Sequence, residues 1–284
     1  MNDIELAALL PPVKDDANKY TRGSLLILAG SARFPGAALL AAQAGARTGA
    51  GYVTLAVPEP VLQVAQDHLL SIPVIAATSE DGGFAADAWE SIESQLKHVD
   101  AIILGPGLTI TPSTGAFVKE VITQSQVPLL IDADALSILA VFCAEEEQAR
   151  SQHKLILTPH AGELKRLLDA TQASSAEELA QILDCIVVAK GPRTQIFSPT
   201  QSYTSSTGTA ALAKAGTGDA LSGIIGSLVA QGCTTYDAAV LGVEIHGRAG
   251  RVAEQKLGRR SVCAEDVVDA ISTVLQALDR FPNI

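Results

Sequence analysis

The stretch "LAKAGTGDALSGII" (residues 212–225) sets a carboxylate beside two glycines: Gly216 and Gly218 flank Thr217, and Asp219 follows before the chain turns small and apolar. That apolar run reads as a helix beginning near residue 218. A helix N-terminus leaves about four N–H groups unpaired. Glycines permit close backbone approach, so the amides around 215–218 can cradle an anion such as a phosphate. Asp219, itself negative, does not serve that cradle. Its chemistry is that of a base, taking the proton of a hydroxyl as it attacks phosphorus. The same residues also suit a plainer role, a Gly-rich turn with Asp219 as helix cap.

Elsewhere, "IDADAL" (131–136) puts Asp132 and Asp134 after an apolar run. Asp134 suits capping of the helix that opens "ALSIL", and Asp132 suits lining a site. His246, mid-helix in "EIHGRAG", and Trp89 read as packing residues. The common phosphate signatures are not met. "GSARFPGA" has no Lys-Ser/Thr after its second glycine, while Ile110 and Leu221 stand where a dinucleotide fingerprint needs its third glycine. Cys143, Cys185, Cys233 and Cys263 are far apart with no CxxC pair, so they read as reduced, mostly buried small hydrophobes.

Such residues need a frame. Continuous apolar runs at 24–30, 52–57, 74–78, 101–105, 128–133, 154–159 and 185–190 read as strands buried on both faces. Segments 36–50, 85–97, 112–126, 134–149, 161–169 and 175–184 have helical length and pattern. "RTQIFSPTQSYTSS" (193–206) reads as a hairpin turning at "SPTQS", and helices follow at about 218–231, 234–257 and 263–279. The β-α alternation implies right-handed crossovers and an open, mostly parallel α/β sheet with helices on both faces. Ligands of such sheets lie beyond the carboxyl ends of the strands. "AGSARFPGA", "GPGLT", "PHAGE" and "KGPRT" each follow a strand directly and would gather at that edge.

The 284 residues read as one domain, 1–284, without a linker or repeat. Hydrophobic residues make up 48% and charged residues 18%, which excludes a disordered chain. A net charge of −11 argues against nucleic-acid and anionic-membrane partners. The start "MNDIELAALLPPVKDD" lacks the features of a signal peptide, and no run reaches the ~20 apolar residues of a bilayer span, so a cytoplasmic location is expected.

Seven segments in order carry a resemblance: "RGSLLILAGSARFPGAALLAAQAGARTGAGYV", "LGPGL", "LLIDADAL", "LTPHAGEL", "VVAKGPRT", "LAKAGTGDALSG" and "LGVEIHGRAG", together spanning about residues 20–270. The chain resembles the ribokinase-like superfamily and, within it, the ADP/ATP-dependent NAD(P)H-hydrate dehydratases. The resemblance implies a ribokinase-like fold and repair of the 6S hydrates of NADH and NADPH (NADHX, NADPHX). The ring hydroxyl would be phosphorylated by ADP or ATP and phosphate then eliminated. With ADP, the donor favoured here, AMP is left. It implies Asp219 as catalytic base in contact with the hydrate, and Ala37, Gly107 and His160 as further hydrate-binding positions. For the nucleotide it implies Lys190, Gly191, Pro192, Arg193 and Thr194 of "KGPRT", with Ala215, Gly216, Thr217 and Gly218 around the anion hole. Glu163 resembles the acid that organises Mg2+ through waters. A homotetramer and a separate NAD(P)HX epimerase partner are implied too, and the small-residue helix "GAALLAAQAGARTGAG" would suit a subunit interface. Ala215 stands where the family usually has a glycine, and Ala161 where proline is common. A vitamin-precursor alcohol kinase of the same superfamily is the alternative, since it shares the anion hole and Asp219 but stops at the phosphoester. A nucleotide sensor with a dead site is a further one.

Overall fold

The computed structural model describes residues 1–94, 96, 98–145 and 155–281. Its strands are β1 (Ser24–Leu28), β2 (Tyr52–Pro58), β3 (Val74–Ala77), β4 (Ser79–Glu80), β5 (Gly83–Phe84), β6 (Ala101–Leu104), β7 (Leu129–Ile131), β8 (Leu155–Leu157), β9 (Ile186–Ala189), β10 (Gln195–Phe197) and β11 (Ser202–Thr204). The α-helices are α1 (Asp3–Ala7), α2 (Pro35–Thr48), α3 (Leu62–His68), α4 (Ala88–Glu93), α5 (Pro112–Gln124), α6 (Asp134–Glu145), α7 (Ala161–Thr171), α8 (Ala176–Ile182), α9 (Thr217–Ala230), α10 (Thr235–Leu257) and α11 (Ala264–Leu278).

Nine strands form one sheet in the order β11-β10-β9-β8-β7-β6-β1-β2-β3. Every pairing from β9 to β3 is parallel, and β10 and β11 add an antiparallel hairpin at one edge. The expected hairpin turns where expected: Ser198 N–H donates to the Gln201 carbonyl at 2.9 Å, and the Ser198 hydroxyl oxygen accepts from the Thr200 and Gln201 amides. Both faces of the parallel strands are covered, which is why their sequences are continuously apolar. Leu25 and Ile27 of β1 join the core beneath α2, α9, α10 and α11, while Leu26 and Leu28 join the core beneath α4 to α8.

The sequence reading passed over α1, α3 and the small β4–β5 hairpin. The helix expected at 85–97 is cut to Ala88–Glu93 at its start, because Phe84 belongs to the hairpin and Asp87 precedes the helix as its N-cap. The ends expected for the helix at 134–149 and the strand at 154–159 fall partly outside the described residues. Trp89 is buried, as read. Cys185 is buried and Cys143 and Cys233 partly so, their thiols pushed up by burial; Cys263 is exposed at the start of α11.

The buried face of the small-residue helix α2 packs inside the chain. Ala38, Ala41, Ala42, Ala44 and Gly45 are buried, and α9 lies against them. The approach is close: a Cβ added at Gly223 of α9 would stand 2.3 Å from the Ala41 carbonyl oxygen and 2.7 Å from the Ala44 Cβ. Of the helix read as suited to a subunit interface, the buried face thus packs within one chain. Among the described residues no helix is long and apolar enough to cross a membrane.

Candidate active site

The chain leaves β1 for β2 and β3 on one side and later returns through β6 on the other. The carboxyl ends of β1 and β6 are thus the switch point at which an open α/β sheet makes a crevice. Their loops are stitched together. Gly30 N–H donates to the Pro106 carbonyl at 2.8 Å, and the Ser31 and Thr109 hydroxyls meet at 2.9 Å. Thr109 N–H donates to Asp134 at 2.9 Å. Asp134 therefore braces the "GPGLT" loop from the first residue of α6, rather than capping its own helix as expected.

Helix α2 makes one wall. Gly107 has φ +67°, a left-handed conformation open to glycine, and a Cβ there would stand 2.8 Å from the Phe34 carbonyl and 2.9 Å from the Ala37 Cβ. Ala37 and Gly107, paired by the resemblance, are therefore in contact. One helical turn on, Leu40 faces the other loop, its Cδ1 lying 2.7 Å from where a Cβ of Gly216 would be.

Gly216, at φ +90°, is the N-cap of α9 and makes no side-chain cap bond. Among the described residues the amides of Gly216, Thr217, Gly218 and Asp219 donate to no protein acceptor, and the first bond of the helix is Ala220 N–H to the Gly216 carbonyl. Nor does the Asp219 carboxylate make a hydrogen bond among these residues, so it is not the helix cap. It is half-buried, and its pKa is pushed up to about 7 by burial first and then by Asp132, with Lys190 opposing and Asp134 and Glu163 adding.

Lys190, the residue after β9, reaches across β8 to Asp132, the residue after β7, Nζ to Oδ1 at 2.7 Å. The Ser222 hydroxyl of α9 donates to the other oxygen of Asp132 at 2.7 Å. Asp132 is fully enclosed; burial alone would raise its pKa, but the Lys190 charge and the hydrogen bonds from Lys190, Ser222 and Thr158 bring it below the ordinary value. Burial would likewise lower Lys190, and Asp132, Glu163 and Asp219 hold it charged. A Cβ at Gly218 would lie 3.5 Å from Nζ, so the ammonium sits beside the free amides. A fixed cation, unspent N–H groups and a base titrating near neutrality thus share one corner. Such a corner can hold phosphates while a hydroxyl is deprotonated.

His160 and Glu163 form a capping box at the start of α7. His160 Nδ1 accepts from Gly162 N–H at 2.9 Å and Glu163 N–H at 3.3 Å, and Glu163 accepts from His160 N–H at 2.8 Å. The imidazole still faces solvent, 58% exposed, with Nε2 3.3 Å from Glu163 Oε1. Glu163 is buried, and burial raises its pKa against the pull of Lys190. Gly191, Pro192 and Arg193 are exposed in the loop after β9, and the Thr194 hydroxyl donates to the Gly191 carbonyl at 3.2 Å. Ser205 N–H donates to the Thr194 carbonyl at 2.9 Å, tying this loop to the segment that leads into Ala215. Ser222, Thr158 and Leu40 were not foreseen. Ser222 had a signal, three residues after Asp219 and so near it on the helix surface.

The profile of the NAD(P)H-hydrate dehydratase family matches residues 25–273. The chain belongs to this family. It is 35% identical over 253 residues to the ADP-dependent (S)-NAD(P)H-hydrate dehydratase of Neisseria meningitidis, covering 86% of this chain and 81% of that one. It is 37% identical over 284 residues to the bifunctional NAD(P)H-hydrate repair enzyme Nnr of Moorella thermoacetica, covering 95% of this chain and 52% of that one. The chain thus spans about half the length of such bifunctional relatives. The ADP/ATP-dependent NAD(P)H-hydrate dehydratase of Bacillus subtilis, co-crystallised with ATP/Mg2+, superposes with a TM-score of 0.81 at 30% identity, covering 98% and 97% of the two chains. In this dehydratase-family chain the α/β fold is ribokinase-like, as expected.

Proposed function

We infer that the chain is an ADP-dependent dehydratase of the 6S hydrates of NADH and NADPH. The observation that carries this reading is the unspent Asp219 carboxylate, titrating near 7, beside unpaired amides and a fixed ammonium. The nucleotide phosphates lie on the amides of 215–218 beside Lys190, with Gly191–Thr194 against the rest of the nucleotide. The nicotinamide end lies along Ala37 and Gly107, with the exposed edge of His160 as a further contact. The hydroxyl on ring carbon 6 attacks the terminal phosphorus of ADP and gives its proton to Asp219. AMP leaves. Hydroxide is a poor leaving group and phosphate a good one. The ring-nitrogen lone pair then expels phosphate from carbon 6, and loss of a proton from the adjacent carbon restores the ring double bond.

Mg2+ would neutralise phosphate charge. The residues fit an ion that arrives on the nucleotide: Mg2+ commonly keeps several waters and uses one or two carboxylates plus phosphates. Among the described residues no cluster of three or more ligating side chains is preformed, and Glu163 is already in its capping box, so contact through water suits it. We further propose a single domain, a homotetramer working in the cytoplasm, and a separate epimerase that supplies the 6S form. The test is incubation of hydrated NADH and NADPH with ADP or ATP, with and without magnesium. Return of reduced-nicotinamide absorbance with AMP formation from ADP is expected; a stable phosphoester instead would make the chain a kinase.

A further inference from the structure

Gly242, His246 and Gly250 lie four residues apart on α10 and so share a face. A Cβ at Gly242 would stand 2.5 Å from Ile225 of α9, and one at Gly250 would stand 2.6 Å from Leu212. α9 and the turn at Ala210–Leu212 therefore press onto α10 on either side of His246. The Thr217 hydroxyl donates to the Leu212 carbonyl at 2.7 Å and lies 2.9 Å from the Lys214 carbonyl, drawing residues 212–217 into a closed loop. His246 is buried next to the Thr217 backbone, and its Nε2 has no partner among the described residues. Burial lowers the ring's pKa to about 4 against the pull of Thr217, so it is neutral at physiological pH. A buried polar nitrogen without a partner costs stability. A leucine at 246 would pack without that cost, so simple packing does not account for the imidazole.

We propose that His246 is a positioning residue for the nucleotide phosphates: its polar ring, against the Thr217 peptide, keeps the amides of 216–218 turned outward. This rests on the reading of that loop as the phosphate cradle. The experiment compares wild type, His246→Leu, His246→Asn and His246→Gln by calorimetric ADP titration, denaturant unfolding and hydrate-repair kinetics. The leucine variant is expected to be about as stable as wild type, relief of the unpartnered Nε2 offsetting the lost interaction with the Thr217 backbone, yet to bind ADP about tenfold more weakly, with KM for the hydrate within about twofold. The amide variants should fall between the two. ADP affinity within about twofold of wild type in a folded leucine variant overturns the proposal. Should that variant not fold, the amide variants decide: weaker ADP binding at unchanged stability supports the proposal, and unchanged binding overturns it. Wild type that binds no ADP would sink the cradle itself, a separate failure.

Discussion

At the residue scale, Asp219 is the sharpest point of contact between geometry and chemistry. Asp219→Asn removes the proposed base and keeps the amides, so turnover should fall by about 10²–10⁴-fold while calorimetry shows ADP binding largely kept. Only the ionised carboxylate accepts a proton, so kcat/KM should rise with pH through about 7 and then level off. The stability effect has the opposite sense. A carboxyl whose folded pKa is raised holds its proton more tightly in the native state, so its contribution is lost as pH climbs from the ordinary range through about 7. Asp219→Asn should therefore raise Tm at pH 8 more than at pH 4, by calorimetric scanning. Lys190→Ala leaves Asp132 charged and enclosed, and should cost about 3–5 kcal/mol in denaturant unfolding as well as weakening ADP binding. Asp219 was half legible from its motif, because a Gly-rich turn capped by an acid fits the same residues; the ordered set of seven segments is what singled it out. The Lys190–Asp132 pair was only half legible: each residue directly follows a strand, but which strands lie within reach across the sheet depends on strand order, which local pattern does not contain.

At the element scale, the strands were readable because burial on both faces removes polar residues from them. The 3–7 and 62–68 helices were not, being short and set by contact rather than by period. The run of alanines and glycines in α2 signalled close approach, but the pattern does not say whether the partner is a helix of the same chain or of another copy. Here the partner is α9, through Gly223. Gly223→Val should destabilise the chain by about 2–3 kcal/mol or more, since backbone of α2 stands where the new side chain must go; urea unfolding measures this. By contrast, Gly115→Ala on α5 meets nothing within 4 Å and should be neutral or mildly stabilising.

At the scale of the whole molecule, the strand order gathers loops from β1, β6, β7, β8 and β9 at one edge, and α9 enters there from a distant part of the sequence. An acidic chain of net charge −11 does not attract nucleotides by its overall field, so the nucleotide binding proposed here must come from the local cradle. ADP at a hundredfold excess over its Kd should accordingly raise stability by about 2.7 kcal/mol, seen as a higher Tm, and lose most of that effect when Lys190 is replaced.

The seam between α2 and α9 has one last consequence. Ala37 and Leu40 ride on one helix and Asp219 on the other, and at Gly223 the two helices approach too closely to admit a methyl group. The gap between the proposed donor and acceptor berths is therefore set by backbone packing at Gly223. Changing which alcohol fits would require moving that helix contact, so a shift of specificity by one or two substitutions at the rim should be hard to obtain.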